Sequence, residues 1–265
     1  MVATAPVWRA KTVSWTRRQP SGGLRGIPEE TAVALTYNGT THAVMMATPQ
    51  DLEDYAVGFS LTERQIENAG QIRSIETAEF DAGIDLRIWL DVDAAESFRD
   101  RRRRIVGPTG CGLCGIESLE EAVPAPVPVT GDIRFTAAQI ARAQASLFER
   151  QALHAQTSAV HAAGFWTPGE GLVAIREDVG RHNALDKLVG ALAREGRDGS
   201  AGMLLLTSRV SVEMVQKAAV LQCPVLIAVS APTARAVRTA EKAGITLVAL
   251  AREDAVAVFT HTPPH

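Results

Sequence analysis

From residue 158 onward, apolar runs alternate with polar stretches at a regular interval. Met203-Leu204-Leu205-Leu206 and Val225-Leu226-Ile227-Ala228-Val229 are nearly unbroken apolar runs, the pattern of strands buried on both faces. The pattern predicts strands at 162–166, 172–176, 202–207, 225–230 and 246–251, and helices at 181–194, 211–221 and 233–243, the last closed by Gly244. Strand-helix-strand order of this kind implies a parallel α/β sheet. Upstream, Ala32–Tyr37 and Thr41–Met46 flank Asn38-Gly39-Thr40, a hairpin signal. Thr48-Pro49-Gln50-Asp51 has the form of a helix start, with Thr48 as N-cap, and predicts a helix over about 49–64. Strands are expected near 71–79 and 84–91, around Asp81-Ala82-Gly83, and Thr136 caps a helix running to about Gln151.

Two stretches lack such periodicity. The first 30 residues are rich in Gly, Pro and Arg and read as a mobile lead-in. Residues 93–132 combine an arginine run, glycine-flanked cysteines and Pro124, Pro126 and Pro128, and read as a mobile segment with one short helix at Ile116–Ala122. The expected organisation is a lead-in over 1–30, a smaller N-terminal α+β region over 31–92, a mobile loop over 93–132 and an α/β ligand-binding domain over 133–265.

Composition narrows the class. With 265 residues, 46% of them hydrophobic and 22% charged, the chain can bury a full core. A net charge of -3 gives no global attraction to nucleic acid or to an anionic membrane. Met1 to Trp15 lacks the apolar core of a signal peptide, and no apolar run approaches the roughly 18–20 residues that cross a bilayer. Three cysteines do not make a disulfide framework. The expectation is a cytoplasmic protein with reduced thiols.

Candidate chemistry centres on Thr109-Gly110-Cys111-Gly112-Leu113-Cys114-Gly115. Arg99-Asp100-Arg101-Arg102-Arg103-Arg104 precedes it, and nearby positive charge favours the thiolate, the reactive form of cysteine. A structural zinc needs four ligands, and the sequence offers no second C-x-x-C or H-x-x-x-H. A redox or sulfur-carrying pair is the stronger reading, with no metal expected. Cys223, entering an apolar strand, reads as core. Three polar loops fall at expected strand ends: Glu177–Asn183, Thr207–Ser211 and Ser230–Thr233. Ligands of open α/β sheets bind there, and helix N-termini favour phosphate, so an anionic, nucleotide-like ligand is expected, with Arg181 and Arg209 in reach. His182 is the better functional candidate of the two nearby histidines, and His161 reads equally as a core residue.

The blocks Thr109–Glu117, Arg176–Lys187, Ser208–Lys217 and Ala228–Thr233 together resemble the formate dehydrogenase accessory sulfurtransferases of the FdhD type, in the same order, and the resemblance spans roughly 28–262. It implies a cytidine-deaminase-like three-layer α/β core without the catalytic zinc, and a homodimer. It implies a sulfur carrier that takes a persulfide from a cysteine desulfurase. The sulfur then passes to the metal, molybdenum or tungsten, of a bis(molybdopterin guanine dinucleotide) cofactor that formate dehydrogenase requires. By the same resemblance Cys111 carries the persulfide, Cys114 assists or substitutes, and Leu250, Ala251, Arg252, Glu253, Asp254 and Ala255 form the cofactor-binding segment. That segment departs from the more basic, glycine-containing family pattern. Arg252 keeps a positive charge, whereas Glu253 and Asp254 are poor neighbours for phosphate, so the location carries over better than the individual contacts. Two rival readings stand beside this one: a thiol-disulfide oxidoreductase using the same pair, and a non-enzymatic chaperone of the cofactor or the apo-dehydrogenase.

Overall fold

The computed structural model describes residues 4–15, 20–96, 98, 125–131, 133, 135–252 and 255–261. The cysteine pair, the arginine run and the expected helix at 116–122 lie outside the described residues.

Two sheets share one helical seam. The smaller has four strands in the order β4-β3-β6-β5: β3 (Thr31–Tyr37), β4 (Thr40–Ala47), β5 (Ile72–Phe80) and β6 (Gly83–Leu90). Asn38 and Gly39 both have positive φ, 47° and 78°, the geometry that the Asn-Gly signal foretold. One face of this sheet packs Val33, Leu35, Tyr37, Leu86 and Ile88 against Tyr55, Ala56 and Phe59 of α1 (Leu52–Thr62). Helix α1 starts later than expected, and Thr48 is not its cap: Asp51 occupies the N-cap position with a left-handed φ of 53°. Thr48 is instead committed to a buried network described below.

The larger sheet has six strands in the order β12-β11-β10-β9-β7-β8: β7 (His161–Thr167), β8 (Gly171–Asp178), β9 (Met203–Leu206), β10 (Val225–Ala228), β11 (Thr246–Arg252) and β12 (Ala255–Val258). The expectation of a parallel sheet holds only for β9, β10 and β11. β7 runs antiparallel to both β8 and β9, and β12 antiparallel to β11. The reason is connection length: β7–β8 and β11–β12 are joined by three and two residues, too few for the crossover that a parallel pair needs. Helices cover both faces of this sheet. On one, α2 (Ala137–Glu149) packs Ile140, Ala143 and Leu147 against Trp166, Leu205 and Ile227. On the other lie α4 (Arg181–Arg194), α5 (Val212–Val220) and α6 (Ala234–Ala243), against Phe165, Leu204, Leu226 and Leu247. Thr136 caps α2 as expected, accepting from the backbone N–H of Gln139, and a short helix α3 (Ala152–Thr157) follows.

Within the 30 residues read as a mobile lead-in, β1 (Val7–Trp15) and β2 (Pro20–Pro28) pair as an antiparallel ribbon, which the sequence reading did not foresee. Gly and Pro content misled here: the glycines sit within a strand, and Gly26 meets α3 at its Gln156 carbonyl.

Helices α1 and α4 lock the two sheets together. They run antiparallel, since Thr62 meets Asp186 at one end and Asp54 meets Arg194 at the other. At the crossing, a Cβ on Gly58 would lie 1.7 Å from the Asp186 carbonyl oxygen, and one on Gly190 would lie 1.8 Å from that of Asp54. Only glycine lets the backbones approach this closely. Gly58→Ala and Gly190→Ala should each cost about 3 kcal/mol or more in urea denaturation. Gly169→Ala, in a turn with nothing within 4 Å of its Cβ position, should change stability by less than about 0.5 kcal/mol.

Candidate functional site

The carboxyl ends of β8, β9, β10 and β11 and the start of β7 lie along one edge of the six-stranded sheet. The loops there are tied together through backbone. Thr207 N–H donates to Ala162 O (3.1 Å), Val210 N–H to Ala231 O (3.3 Å), Thr233 N–H to Val210 O (2.9 Å) and Leu250 N–H to Ser230 O (3.3 Å). Thr207 Oγ1 also accepts from Ala162 N–H at 2.9 Å. Loops 207–211, 229–233 and 250–252 thus form one continuous ledge. Two helices begin on it: α5 after Ser211, whose side chain makes no cap bond, and α6 after Thr233, whose hydroxyl accepts from Ala236 N–H at 3.2 Å. The first-turn N–H groups of such helices are inherently anion-seeking.

Loop 177–183 stands on the same edge, but most of its polar groups are already used, which corrects the sequence reading of it as a ligand loop. Glu177 caps α3, accepting from Leu153 N–H and His154 N–H, both at 2.8 Å. Asp178 is fully buried and accepts four bonds: from Thr48 N–H (2.9 Å), Gly180 N–H (2.7 Å), Asn183 Nδ2 (3.0 Å) and Lys187 Nζ (2.6 Å). Lys187 Nζ also donates to Thr48 O at 2.8 Å, and Asn183 Nδ2 to Met46 O at 2.8 Å. One turn along α4, Asp186 accepts from Thr62 Oγ1 (2.6 Å) and Lys217 Nζ (2.8 Å), and Lys217 reaches Glu63 at 2.7 Å. Helix α4 is buried from Asn183 through Leu192, so its charged residues need internal partners. These are scaffold groups. The sequence signal for them was present, as charged residues inside an otherwise apolar helix, but it points equally to a ligand site.

Among the described side chains, those left for chemistry on the edge are Arg181, His182, His161 and Arg209. Arg181 Nε is buried with no hydrogen-bond partner. Arg209 is exposed. Burial, then Arg181 and Lys217 nearby, press the His182 pKa down to about 4, so its imidazole is neutral near pH 7. His161 is lowered by burial and then by Arg181. Glu213 is the one carboxylate on the first turn of α5; burial works against its charge, but the Ser211 hydroxyl, its own backbone N–H and the neighbouring His182 and Arg181 keep its pKa below the ordinary value.

Of the expected cofactor segment, Leu250, Ala251 and Arg252 end β11, Ala255 opens β12, and Glu253 and Asp254 lie outside the described residues. The register slips between Ala249 and Arg252, and Leu250 holds a φ of 53° with 42% of its surface exposed. A bulky residue in the left-handed region is strained. Ala251 is buried, and its carbonyl accepts from Gln144 Nε2 at 2.6 Å, which anchors the bulge to α2. An orphaned guanidinium nitrogen, two helix starts and the exposed Arg209 stand on this edge, together with the carboxylates of Glu177, Asp178 and Glu213. Cys223 is core, as expected: burial pushes its thiol up to about 12, and its Sγ contacts Val225 O at 3.3 Å.

An α/β protein with a basic ledge at the carboxyl ends of its parallel strands is the class these features define. The model of the FdhD/NarQ family matches residues 28–264, and the chain belongs to that family. Its relatives include the sulfur carrier protein FdhD of Agrobacterium fabrum, 53% identical over 91% of this chain and 89% of that one. The sulfur carrier protein FdhD of Cupriavidus necator is 50% identical over 93% of this chain and 86% of that one. A crystal structure from Desulfotalea psychrophila, provisionally described as a formate dehydrogenase accessory protein, superposes with a TM-score of 0.77 at 24% identity, over 96% of this chain and 97% of that one. At that identity it speaks for the fold alone.

Two consequences are measurable. Lys187→Met leaves the Asp178 carboxylate buried without its counter-charge and should cost about 3–5 kcal/mol in urea denaturation, part of which Asp178→Asn in the same chain restores. The His182 pKa is depressed on folding from 6.5 to about 4, so its contribution is complete above pH 6.5 and is lost as pH falls toward 4. Asp186, raised by burial from 3.8 to about 6, acts in the opposite sense over the same window. Between pH 7 and 5, His182→Gln should therefore gain about 1–2 kcal/mol relative to wild type in urea midpoints. Parallel wild-type and variant curves would contradict the placement of His182.

Proposed function

We propose that this chain is a sulfur carrier in the maturation of formate dehydrogenase. The reading is carried by its family membership together with relatives of over 50% identity named sulfur carrier protein FdhD, in a chain that has the Cys111–Cys114 pair. In this reading the protein works in the cytoplasm as a homodimer, and its six-stranded sheet with helices on both faces is a cytidine-deaminase-like core.

The sulfur route is an exchange of bonds. The Cys111 thiolate attacks the outer sulfur of a cysteine desulfurase persulfide. The donor S–S bond breaks, a new S–S bond forms on Cys111, and the desulfurase thiolate leaves, with no net redox change. In the second step the Cys114 thiolate attacks the Cys111 sulfur. A Cys111–Cys114 disulfide forms and the outer sulfur departs as sulfide to the molybdenum or tungsten of the bis(molybdopterin guanine dinucleotide) substrate. A cellular thiol then reduces the disulfide. The arginine run 99–104 favours the thiolate.

The ledge supplies the holding function. Arg181 and Arg209 have the charge and planar geometry to engage phosphate, the N-termini of α5 and α6 add backbone donors, and the segment 250–255 borders the nucleotide. A structural role alone would leave Arg181 Nε with no reason to be buried unpaired.

Mass spectrometry of the intact protein after incubation with cysteine and a cysteine desulfurase tests this reading. Wild type should gain one sulfur atom, localised to Cys111, and Cys111→Ala should gain none there. Sulfur found only on Cys114 would reverse the assignment. A measurable disulfide potential with no sulfur uptake would favour a thiol-disulfide oxidoreductase, and full dehydrogenase activation by Cys111→Ala would favour a chaperone.

A further inference from the structure

The β1–β2 ribbon has no part in the sulfur route, and it is built unlike the rest of the molecule. Its root is seated. Glu29 N–H donates to Pro6 O at 2.8 Å, and a Cβ on Gly26 would come 2.8 Å from the Gln156 carbonyl of α3. A cavity of about 340 Å³ opens beside this root, lined by Val7, Gln50, Leu153, Gln156 and Glu177 among others. Several of the ribbon's described side chains are exposed. Trp8 and Leu24 are 58% and 64% exposed, and they lie on opposite faces: Trp8 pairs across with Ile27, Leu24 with Lys11. Arg9, Lys11 and Arg25 are exposed as well. Both strands are edge strands, with outward backbone groups left unpaired. A two-stranded ribbon with no core of its own is marginal in water.

Charge sets it apart further. Residues 1–28 contain five Lys and Arg and no Asp or Glu, which leaves the remainder of a chain of net charge -3 strongly acidic. The ribbon also falls almost wholly before residue 28, where the family model begins.

We propose that this ribbon is a docking arm for the acidic face of a partner protein, with Arg9, Lys11 and Arg25 meeting the acidic groups and Trp8 and Leu24 as apolar anchors. Charge complementarity selects the occupant. An extended polyanion such as nucleic acid, or an anionic membrane, would be repelled by the acidic body behind the ribbon, whereas a protein can confine its acidic patch to the ribbon itself. Position supports it too. Glu177, which borders the ribbon root, neighbours Asp178 on the edge that carries the candidate site, so a docked partner stands beside that edge. The partner's identity rests on the sulfur-carrier reading, in which the proteins to be met are the cysteine desulfurase and the apo-dehydrogenase.

Biolayer interferometry of the full chain against each of these purified proteins, at about 50 and about 300 mM NaCl, tests the arm. Arg9→Glu/Lys11→Glu/Arg25→Glu should weaken binding to at least one of them by about tenfold or more at low salt and flatten its salt dependence. Trp8→Ala/Leu24→Ala should weaken the same interaction at both salt concentrations. The proposal is overturned if wild type binds neither protein or if both variants bind as wild type does. It is equally overturned if the charge variant loses affinity only for a single-stranded oligonucleotide or for phosphatidylglycerol vesicles. Sulfur uptake by Cys111 from glutathione persulfide needs no docking and keeps the two readings apart: uptake by wild type and both variants leaves the sulfur reading intact whatever the ribbon does, and no uptake by wild type is a failure of that reading alone.

Discussion

The close crossing of α1 and α4 is the constraint on which the rest of the molecule depends. Gly58 and Gly190 bring the two helix backbones into contact, and α4 is buried from Asn183 through Leu192. A helix so enclosed must satisfy its charges internally. Asp178 with Lys187, Asp186 with Lys217 and Thr62, and Asp54 with Arg176 and Arg194 do this at successive levels along the seam. Thr48, Thr62 and Asp54 join these clusters from the small sheet's loop and helix, so they register one sheet against the other. Removing one partner of such a pair is far costlier than the net contribution of the pair itself.

That registration positions the ledge. The first two turns of α4 carry Asp186 and Lys187 inward and Arg181 and His182 toward the edge, so the same helix that seals the seam presents the candidate site. Fixing α4 by buried ion pairs fixes where its N-terminus points. The loops after β9, β10 and β11 are then tied to one another by backbone hydrogen bonds rather than by side chains. Their side chains are left available, and this is what a ligand-holding edge requires.

Much of this was legible in the sequence. The apolar runs at 203–206 and 225–228 gave their strands, Asn38-Gly39 its hairpin, and Thr136 its cap, because each rests on local chemistry. Strand direction was not legible. Nothing local distinguishes an antiparallel β7 or β12 from a parallel one; only connection length does, and it was obscured where β12 went unread. The ribbon was missed because Gly22, Gly23 and Gly26 lower strand propensity, an effect overridden at Gly26 by its packing on α3. Loop 177–183 was read as ligand-facing because buried and ligand-bound polar residues look alike along a sequence. Asp178 is taken in part by Thr48, over a hundred residues away, a partner that no local pattern reveals.

The central claim is that sulfur travels on Cys111 to a cofactor held at the ledge. Its most direct measurement loads the protein with radiolabelled sulfur, removes the donor, adds purified formate dehydrogenase carrying a sulfur-free cofactor, and follows label and activity together. Label should leave this protein, reappear on the dehydrogenase cofactor and restore formate oxidation in proportion, and Cys111→Ala should transfer nothing. Activity restored while the label stays on this protein, or label transferred equally by Cys111→Ala, would contradict it.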